Sequence, residues 1–256
     1  MSTPRFVSLS LRPALLLSVA AGLFVPAALW LLASAVWSSQ LASAPHAQRA
    51  GTLLMVVVLM SVPYVFLIVP GLRDHVPQHW QTLLASRLPR VRSVAPMGRD
   101  NLDCLARIDA IEQAAAAIDG PIILVAHSGG VISVVHWAQQ TRRAVRGALL
   151  ATPADFDRRL PDGYPSIEAL DDGGWLPVPR SPLPFASIVA ASRNDPLAAY
   201  DRVALLARSW GSRLVDLGEV GHLNPASGFG AWPQAETLIH ELDTAASPCW
   251  LTQHTA

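Results

Sequence analysis

The chain has 256 residues, of which 51% are hydrophobic and only 15% are charged. This length suits one catalytic domain plus an extension, and a formal net charge of zero argues against a nucleic-acid or other polyanionic partner. Cys104 and Cys249 stand apart from any Cys/His cluster, and the glycine motifs that bind phosphates or dinucleotides are absent, so we expect neither a metal nor a cofactor.

An uncharged apolar stretch covers residues 14–37. As a helix it would measure roughly 36 Å at about 1.5 Å per residue, enough to cross a bilayer. We therefore expect one transmembrane helix in an amino-terminal extension, and hence a membrane-anchored protein. The preceding Arg5 and Arg12 favour a cytoplasmic amino terminus and an exported domain. Two alternatives stay open, namely a signal peptide cleaved near residues 42–44 and a cytoplasmic enzyme whose translation starts at Met60.

A second apolar run follows and merges into residues 64–69. We predict that these residues form the first strand of a parallel sheet. A second full membrane helix would consume that strand, which is why we favour a single span.

The most specific motif begins where an aliphatic run ends at Ala126-His127-Ser128-Gly129-Gly130 and a helical pattern follows. This is the strand, sharp turn and helix of a nucleophile elbow, with G-x-S-x-G relaxed to A-x-S-x-G. The residues two before and two after the serine are expected to crowd each other across the turn, so both must be small. The turn also leaves the N–H of Gly129 at a helix start, where it can meet an oxyanion.

A long connection rich in Pro, Gly and Asp follows the predicted strand at 145–151. Long irregular segments in compact domains are usually functional or mobile, and we predict a small cap that borders the site. Phe156 and Trp175 are candidates for the walls of an acyl pocket. The alternative is that these aromatic side chains only hold the cap against the body.

Chemically useful side chains follow the next two predicted strands, at 185–192 and 213–217, which a predicted helix separates. Asp195 lies in the turn after the first of them, and His222 lies in the Gly-rich loop after the second. A serine is a weak nucleophile without a base and a group that orients the base. Because parallel sheets bring such loops to one edge, we expect Asp195 and His222 to lie beside Ser128.

Other charged residues give weaker signals. Asp155 and Asp157 follow the strand before the cap and are rival acids, which we rank behind Asp195. Arg142, Arg143 and Arg146 form the basic cluster of the domain, and a solvated helix end explains them better than contact with nucleic acid.

Four segments, in the right order, resemble motifs of the YdeN-like serine hydrolases, the family that includes retinoblastoma-binding protein 9. They are residues 69–81, the elbow at 126–130, the acid motif at 192–196 and the histidine loop at 221–228. The resemblance implies an α/β-hydrolase fold, with a mostly parallel sheet flanked by helices. We place this domain at residues 60–245, between the hydrophobic helical extension at 1–59 and a carboxyl-terminal tail at 246–256.

The resemblance also implies a role for each site residue. Ser128 would be the nucleophile, Asp195 the orienting acid and His222 the base. The oxyanion hole would use the N–H groups of Gly129 and Leu72. From their positions in the first loop, beside the elbow and in the cap, we also expect Gly71, His127 and Trp175 to contact the substrate. The expected activity is a carboxylesterase-like hydrolysis of a small acyl ester or amide. The alternative is a catalytically weak protein-binding module, since one family member is named for an interaction and a protein partner is therefore conceivable.

Overall fold

The computed structural model describes residues 64–245. The expected extension at 1–59 and the tail at 246–256 lie outside the described residues. Among the residues described, no helix is both long and apolar enough to cross a membrane. This finding corrects the expectation of a transmembrane, membrane-associated protein, and the stretch at 14–37 on which that expectation rested is not among the described residues.

A six-stranded parallel sheet forms the centre of the described region, with strand order β2-β1-β3-β4-β5-β6. The strands are β1 (Val65–Val69), β2 (Val91–Ser93), β3 (Ile122–His127), β4 (Val145–Ala151), β5 (Ser187–Ala191) and β6 (Arg213–Asp216). All five pairings are parallel, so the carboxyl ends of the strands meet at one edge. The α/β class with a parallel sheet is therefore confirmed.

Helices cover both faces of the sheet. They are α1 (Trp80–Ala85), α2 (Cys104–Ala116), α3 (Gly129–Ala138), α4 (Ile167–Asp172), α5 (Tyr200–Ser209) and α6 (Gln234–Ala245), and a 3₁₀ turn lies at Pro225–Ser227. Because both faces are covered, the central strands are mostly apolar, and every residue of β3 is buried.

Alternate residues of each strand enter two separate cores. Leu124 and Ala126 point into the core shared with α2, α3 and α5, whereas Ile123 and Val125 point into the core shared with α1 and α6. Burial of these apolar side chains, at about 25 cal/mol per Å² of apolar surface, is the main force that holds the sheet together. It thereby fixes the edge of the sheet at which the site is assembled.

Candidate active site

Ser128 occupies a sharp turn between β3 and α3. Its φ of 57° and ψ of −128° lie in a region that residues with a side chain rarely adopt. Two hydrogen bonds hold the turn, because the Ser128 N–H donates to the Ala151 carbonyl and the Ser128 carbonyl accepts from Val131, both at 3.0 Å. A strained, well-held backbone of this kind is typical of functional sites.

The structure brings Ser128, His222 and Asp195 into one hydrogen-bonded chain. His222 Nε2 lies 2.8 Å from Ser128 Oγ, and Nδ1 lies 2.9 and 3.0 Å from the two carboxylate oxygens of Asp195. Since a carboxylate accepts, Nδ1 carries the proton and Nε2 is left to accept from the serine hydroxyl. The side chains of His222 and Asp195 are 5% and 2% exposed, so water competes little with these bonds.

Short-range hydrogen bonds fix the two loops that carry Asp195 and His222. Asp195 Oδ1 accepts from the Leu197 N–H at 2.8 Å, and the His222 N–H donates to Ser227 Oγ at 3.0 Å. The loops are also tied to each other, because the side-chain oxygen of Asn194 accepts from the Gly221 N–H at 2.6 Å. Asn194 and Ser227 thus position the pair, and both lie within the motifs at 192–196 and 221–228.

The loop after β1 passes directly over the nucleophile elbow. A Cβ on Gly71 would lie 3.2 Å from Ser128 Cβ, and one on Gly129 would lie 2.8 Å from Leu72 Cγ. The Gly129 N–H belongs to the first turn of α3 and has no partner within the helix. The close approach places Leu72 against Gly129, so the loop after β1, which we call the oxyanion loop for the role that the sequence predicts, packs on the elbow.

Gly130 is small for a different reason from the one expected. A Cβ there would lie 2.3 Å from the Pro70 carbonyl oxygen and 2.7 Å from that of Val69. The space at Gly130 is thus limited by the end of β1, whereas the sequence predicted crowding by Ala126 across the turn. This contact locks the oxyanion loop to the elbow.

Gln81 supports the junction between the elbow and the loop after β1, and the sequence analysis did not predict this role. Its buried side-chain amide donates to the carbonyls of Val69, at 3.0 Å, and Val125, at 2.9 Å, near the ends of β1 and β3. The amide thereby joins the strand of the oxyanion loop to the strand of the elbow. A polar residue beside Trp80, within a helix that turns an apolar side to the core, is the signal that would have found it.

The rings of His79 and His127 lie next to the His222 ring, each tilted against its neighbour. His127 lies 4.9 Å from His222 and 4.6 Å from His79, measured between ring centroids. His127 Nε2 donates to the His222 carbonyl at 3.0 Å, so His127 holds the backbone of the histidine loop. Burial, helped by the nearby His222, lowers the pKa of His79 to about 4 and lowers that of His127 as well. Both rings are therefore neutral at pH 7.

The rival acids serve the structure of the cap. Asp155 is buried and hydrogen-bonds to the Arg202 guanidinium through both carboxylate oxygens. Asp157 pairs with Arg180 and lies 3.7 Å from Arg202. Of the three candidate acids, Asp195 is the one that the structure places on His222.

A cavity of about 310 Å³ opens above Ser128 and His222. The cap contributes to its wall, as expected, through Ala154, Phe156, Leu160 and Tyr164, while Gly71, Leu72 and His127 also line it. Trp175 does not contact the cavity, contrary to the expectation from the sequence. It is fully buried behind Phe156, with ring centroids 5.3 Å apart, and its Nε1 donates to the Leu102 carbonyl, so it holds the cap to the body and does not face the cavity.

Two arginines of the basic cluster, Arg143 and Arg146, are engaged by the protein itself. Arg143 donates to the carbonyls of Ile118 and Gly120, and Arg146 pairs with Asp243. Burial raises the pKa of the Cys104 thiol to about 12, which leaves it protonated and unreactive. Within residues 64–245 no group of three or more His, Cys, Asp or Glu side chains is placed to hold a metal ion.

Comparison with known proteins agrees with this geometry. A family model described as serine hydrolase matches residues 66–241. A YdeN-like hydrolase from Pectobacterium atrosepticum is 30% identical, with a TM-score of 0.64, and the match covers 76% of this chain and 98% of that one. No curated protein matches the chain.

More distant structures share the fold alone. The ydeN gene product of B. subtilis is 19% identical over 71% of this chain and 100% of that one, with a TM-score of 0.59. Est1E from Butyrivibrio proteoclasticus, in a structure with ferulic acid bound, is 12% identical over 72% of this chain and 88% of that one, with a TM-score of 0.53.

Proposed function

The chain belongs to the serine hydrolase family and has the fold of the YdeN-like α/β-hydrolases, and we propose that it cleaves an acyl ester or amide bond through a covalent acyl-enzyme. The observation that carries the proposal is the hydrogen-bonded chain from Ser128 Oγ through His222 to Asp195, at the floor of a cavity large enough for a small acyl group. A carboxylesterase-like activity on small molecules is the form we favour.

In the first step Ser128 Oγ attacks the substrate carbonyl carbon. His222 Nε2, at 2.8 Å, takes the hydroxyl proton as the Oγ–C bond forms. Asp195 keeps the other ring proton on Nδ1 and stabilises the imidazolium that results. The short path of the proton and the burial of the pair both favour this step.

The carbonyl oxygen becomes an oxyanion in the tetrahedral intermediate. The N–H groups of Gly129 and Leu72 would donate to it, and in other enzymes one such donor contributes about 2.7–4 kcal/mol to the stability of the transition state. The intermediate then collapses, the bond to the leaving group breaks, and the leaving group takes the proton from His222 Nε2. Ser128 is left acylated.

Water completes the cycle by the same steps. His222 Nε2 removes a proton from a water molecule as the water oxygen attacks the acyl carbon. When the second tetrahedral intermediate collapses, the bond from the acyl carbon to Ser128 Oγ breaks, His222 Nε2 gives its proton to Ser128 Oγ, and the acid departs. The net reaction adds one water across the ester or amide bond. It requires only the groups just described.

Labelling with a fluorophosphonate probe tests the proposal, because the probe phosphonylates only an activated serine. We expect rapid labelling of the wild type, none of Ser128→Ala, and labelling slowed by about 10³-fold or more in His222→Ala. Ser209→Ala, which removes a half-buried serine on α5, is the matched control and should label like the wild type. A folded wild-type protein that resists the probe would instead favour a binding module.

A further inference from the structure

The charges in the wall of the cavity do not cancel. Three ionised side chains lie there together with Ser128, namely Arg73, Asp74 and Arg99. His79 and His127 share the wall, but they add no charge at pH 7 because burial lowers the pKa of each. The balance therefore depends on how each of the three charged groups is paired.

Asp74 is fully engaged by the protein. One carboxylate oxygen accepts from the N–H groups of Met97 and Gly98, and the other lies 3.8 Å from the Arg107 guanidinium. The side chains of Asp74 and Arg107 are 13% and 7% exposed, so this pair is shielded from water. The negative charge of Asp74 is thus neutralised by partners within the protein. Its bond to Gly98 also holds the segment that carries Arg99.

Arg73 is held in place without a counter-charge. Its guanidinium carbon lies 4.9 Å from the ring centroid of Tyr164, which is another residue of the cavity wall. In the part of the chain that the structure describes, no ion pair involves Arg73. Stacking on a ring fixes a guanidinium but leaves its N–H groups free to donate to an anion.

Arg99 adds a second cation with a weak partner. It is 62% exposed, and its Nε lies 3.9 Å from the fully exposed carboxylate of its neighbour Asp100. An exposed pair at that distance is readily exchanged for another anion. Among residues 64–245, the cavity wall therefore has two cations and no carboxylate free to oppose them.

We infer that the substrate carries an anionic group, a carboxylate or a phosphate, and that Arg73 binds it at the cavity wall while Ser128 attacks the acyl carbon. The apolar side chains of Leu72, Phe156 and Leu197 would enclose the hydrocarbon between the two ends. This inference rests on the proposed hydrolase function and adds the chemical class of its substrate. The Arg73 guanidinium would form the same ion pair with an anion at the acyl end of the substrate as with one at the leaving-group end.

Pairs of esters that differ chiefly in the charge of one end test the inference and distinguish the two ends, with each enzymatic rate compared with the rate of uncatalysed hydrolysis of the same ester. The acyl pair is mono-para-nitrophenyl adipate and para-nitrophenyl hexanoate, and the leaving-group pair is para-acetoxybenzoate and its methyl ester. We expect the wild type to favour the anionic member of one pair by about fivefold in kcat/KM, the size of effect that an exposed charge pair gives. The preference should fall as salt is added, because salt screens such pairs.

Arg73→Gln should abolish that preference, so that the ratio of kcat/KM for the anionic ester to kcat/KM for the neutral ester falls to about one. Arg73→Lys should keep part of it. The matched control is Arg142→Gln, which removes the same charge from an exposed position outside the cavity and should keep the preference in full. A wild type that favours the neutral member of both pairs, or a preference that survives Arg73→Gln, would overturn the inference.

Failure of the proposed hydrolase function would give a different experimental result. A protein without hydrolase activity would cleave neither member of either pair and would resist the fluorophosphonate probe, and then both proposals fall. A protein that cleaves all four esters without regard to charge keeps the hydrolase function and loses only the anionic substrate.

Discussion

Asp155 and Asp195 both follow a buried strand, and both are themselves hidden from solvent, yet they have different neighbours. Asp155 neutralises Arg202, and Asp195 hydrogen-bonds to His222 Nδ1. The side chain of Asp155 is 4% exposed and that of Asp195 is 2% exposed, so burial does not separate them. The partner of each carboxylate decides what its removal costs.

We expect Asp195→Asn to impair activity and Asp155→Asn to impair stability. Asparagine at 195 would leave the fold intact but favour the wrong tautomer of His222, which lowers kcat by about 10⁴-fold in comparable triads. Asparagine at 155 would leave Arg202 with Asp157 alone, at 3.7 Å, and should lower the free energy of unfolding by about 1–3 kcal/mol. Esterase assays and urea denaturation of both variants measure the two effects. An inactive but stable Asp155→Asn protein, beside an active Asp195→Asn protein, would show that the acid is misassigned.

The sequence predicts the contacts of Ser128, His222 and Asp195 better than it predicts the pairing of Asp155 with Arg202. Ser128, Asp195 and His222 each follow a buried strand, and parallel pairing is enough to bring such positions to one edge. The Arg202–Asp155 pair joins residues 47 positions apart and depends on where α5 lies against the cap. No local pattern encodes that placement, so the true role of Asp155 appeared only in the structure.

At the scale of elements, the elbow and the oxyanion loop behave as one unit. Gly130 of α3 lies against the carbonyls that end β1, and Gln81 of α1 joins the carbonyl ends of β1 and β3. The position of Leu72 relative to Ser128 is therefore set by close packing of backbone on backbone. Added volume at Gly130 would have nowhere to go except by moving this loop.

Gly130→Ala should therefore damage both stability and catalysis. The new methyl group would lie well inside the contact distance to Pro70, and overpacking of this kind costs about 1–3 kcal/mol. Because relief requires the oxyanion loop to move, we also expect slower fluorophosphonate labelling of folded protein. Gly230→Ala is the control, since a Cβ there meets nothing closer than 3.8 Å, and it should change the free energy of unfolding by less than about 0.5 kcal/mol. Equal stability of the two variants would contradict the packing argument.

The strands and helices nearest the site are those that the sequence predicts. The aliphatic strands β1, β3, β4 and β5 and the helices α3 and α5 appear where the pattern put them. The strand β2 was not predicted, because its three residues include one apolar side chain and none is buried. It exists through its pairing with β1, at the edge of the sheet. Trp175 was misplaced for a similar reason, since an aromatic residue in a cap has the same signature whether it faces a cavity or the core.

For the molecule as a whole, buried and half-buried histidines link the free energy of unfolding to pH. The pKa of His79 is lowered to about 4, that of His127 is lowered, and that of His136 is lowered, each chiefly because burial disfavours the charged ring. In the unfolded chain a histidine titrates near about 6.5. Between these values the unfolded state binds protons that the folded state excludes, so the stability present above about pH 6.5 is lost as the pH falls.

His79→Asn should make the protein less sensitive to acid. Asparagine can still accept from the Gln81 N–H as the N-cap of α1, as His79 Nδ1 does at 3.2 Å, so the helix should remain. Each excluded proton steepens the loss of unfolding free energy by up to about 1.4 kcal/mol per pH unit. Urea denaturation of both proteins between about pH 8 and about pH 5 should show parallel curves above pH 7, and below about pH 6 the variant should lose stability more slowly, by the contribution of one proton. Parallel curves over the whole range would mean that His79 takes up its proton in the folded state. In that case protonated His79 would add a positive charge to the cavity wall in acid.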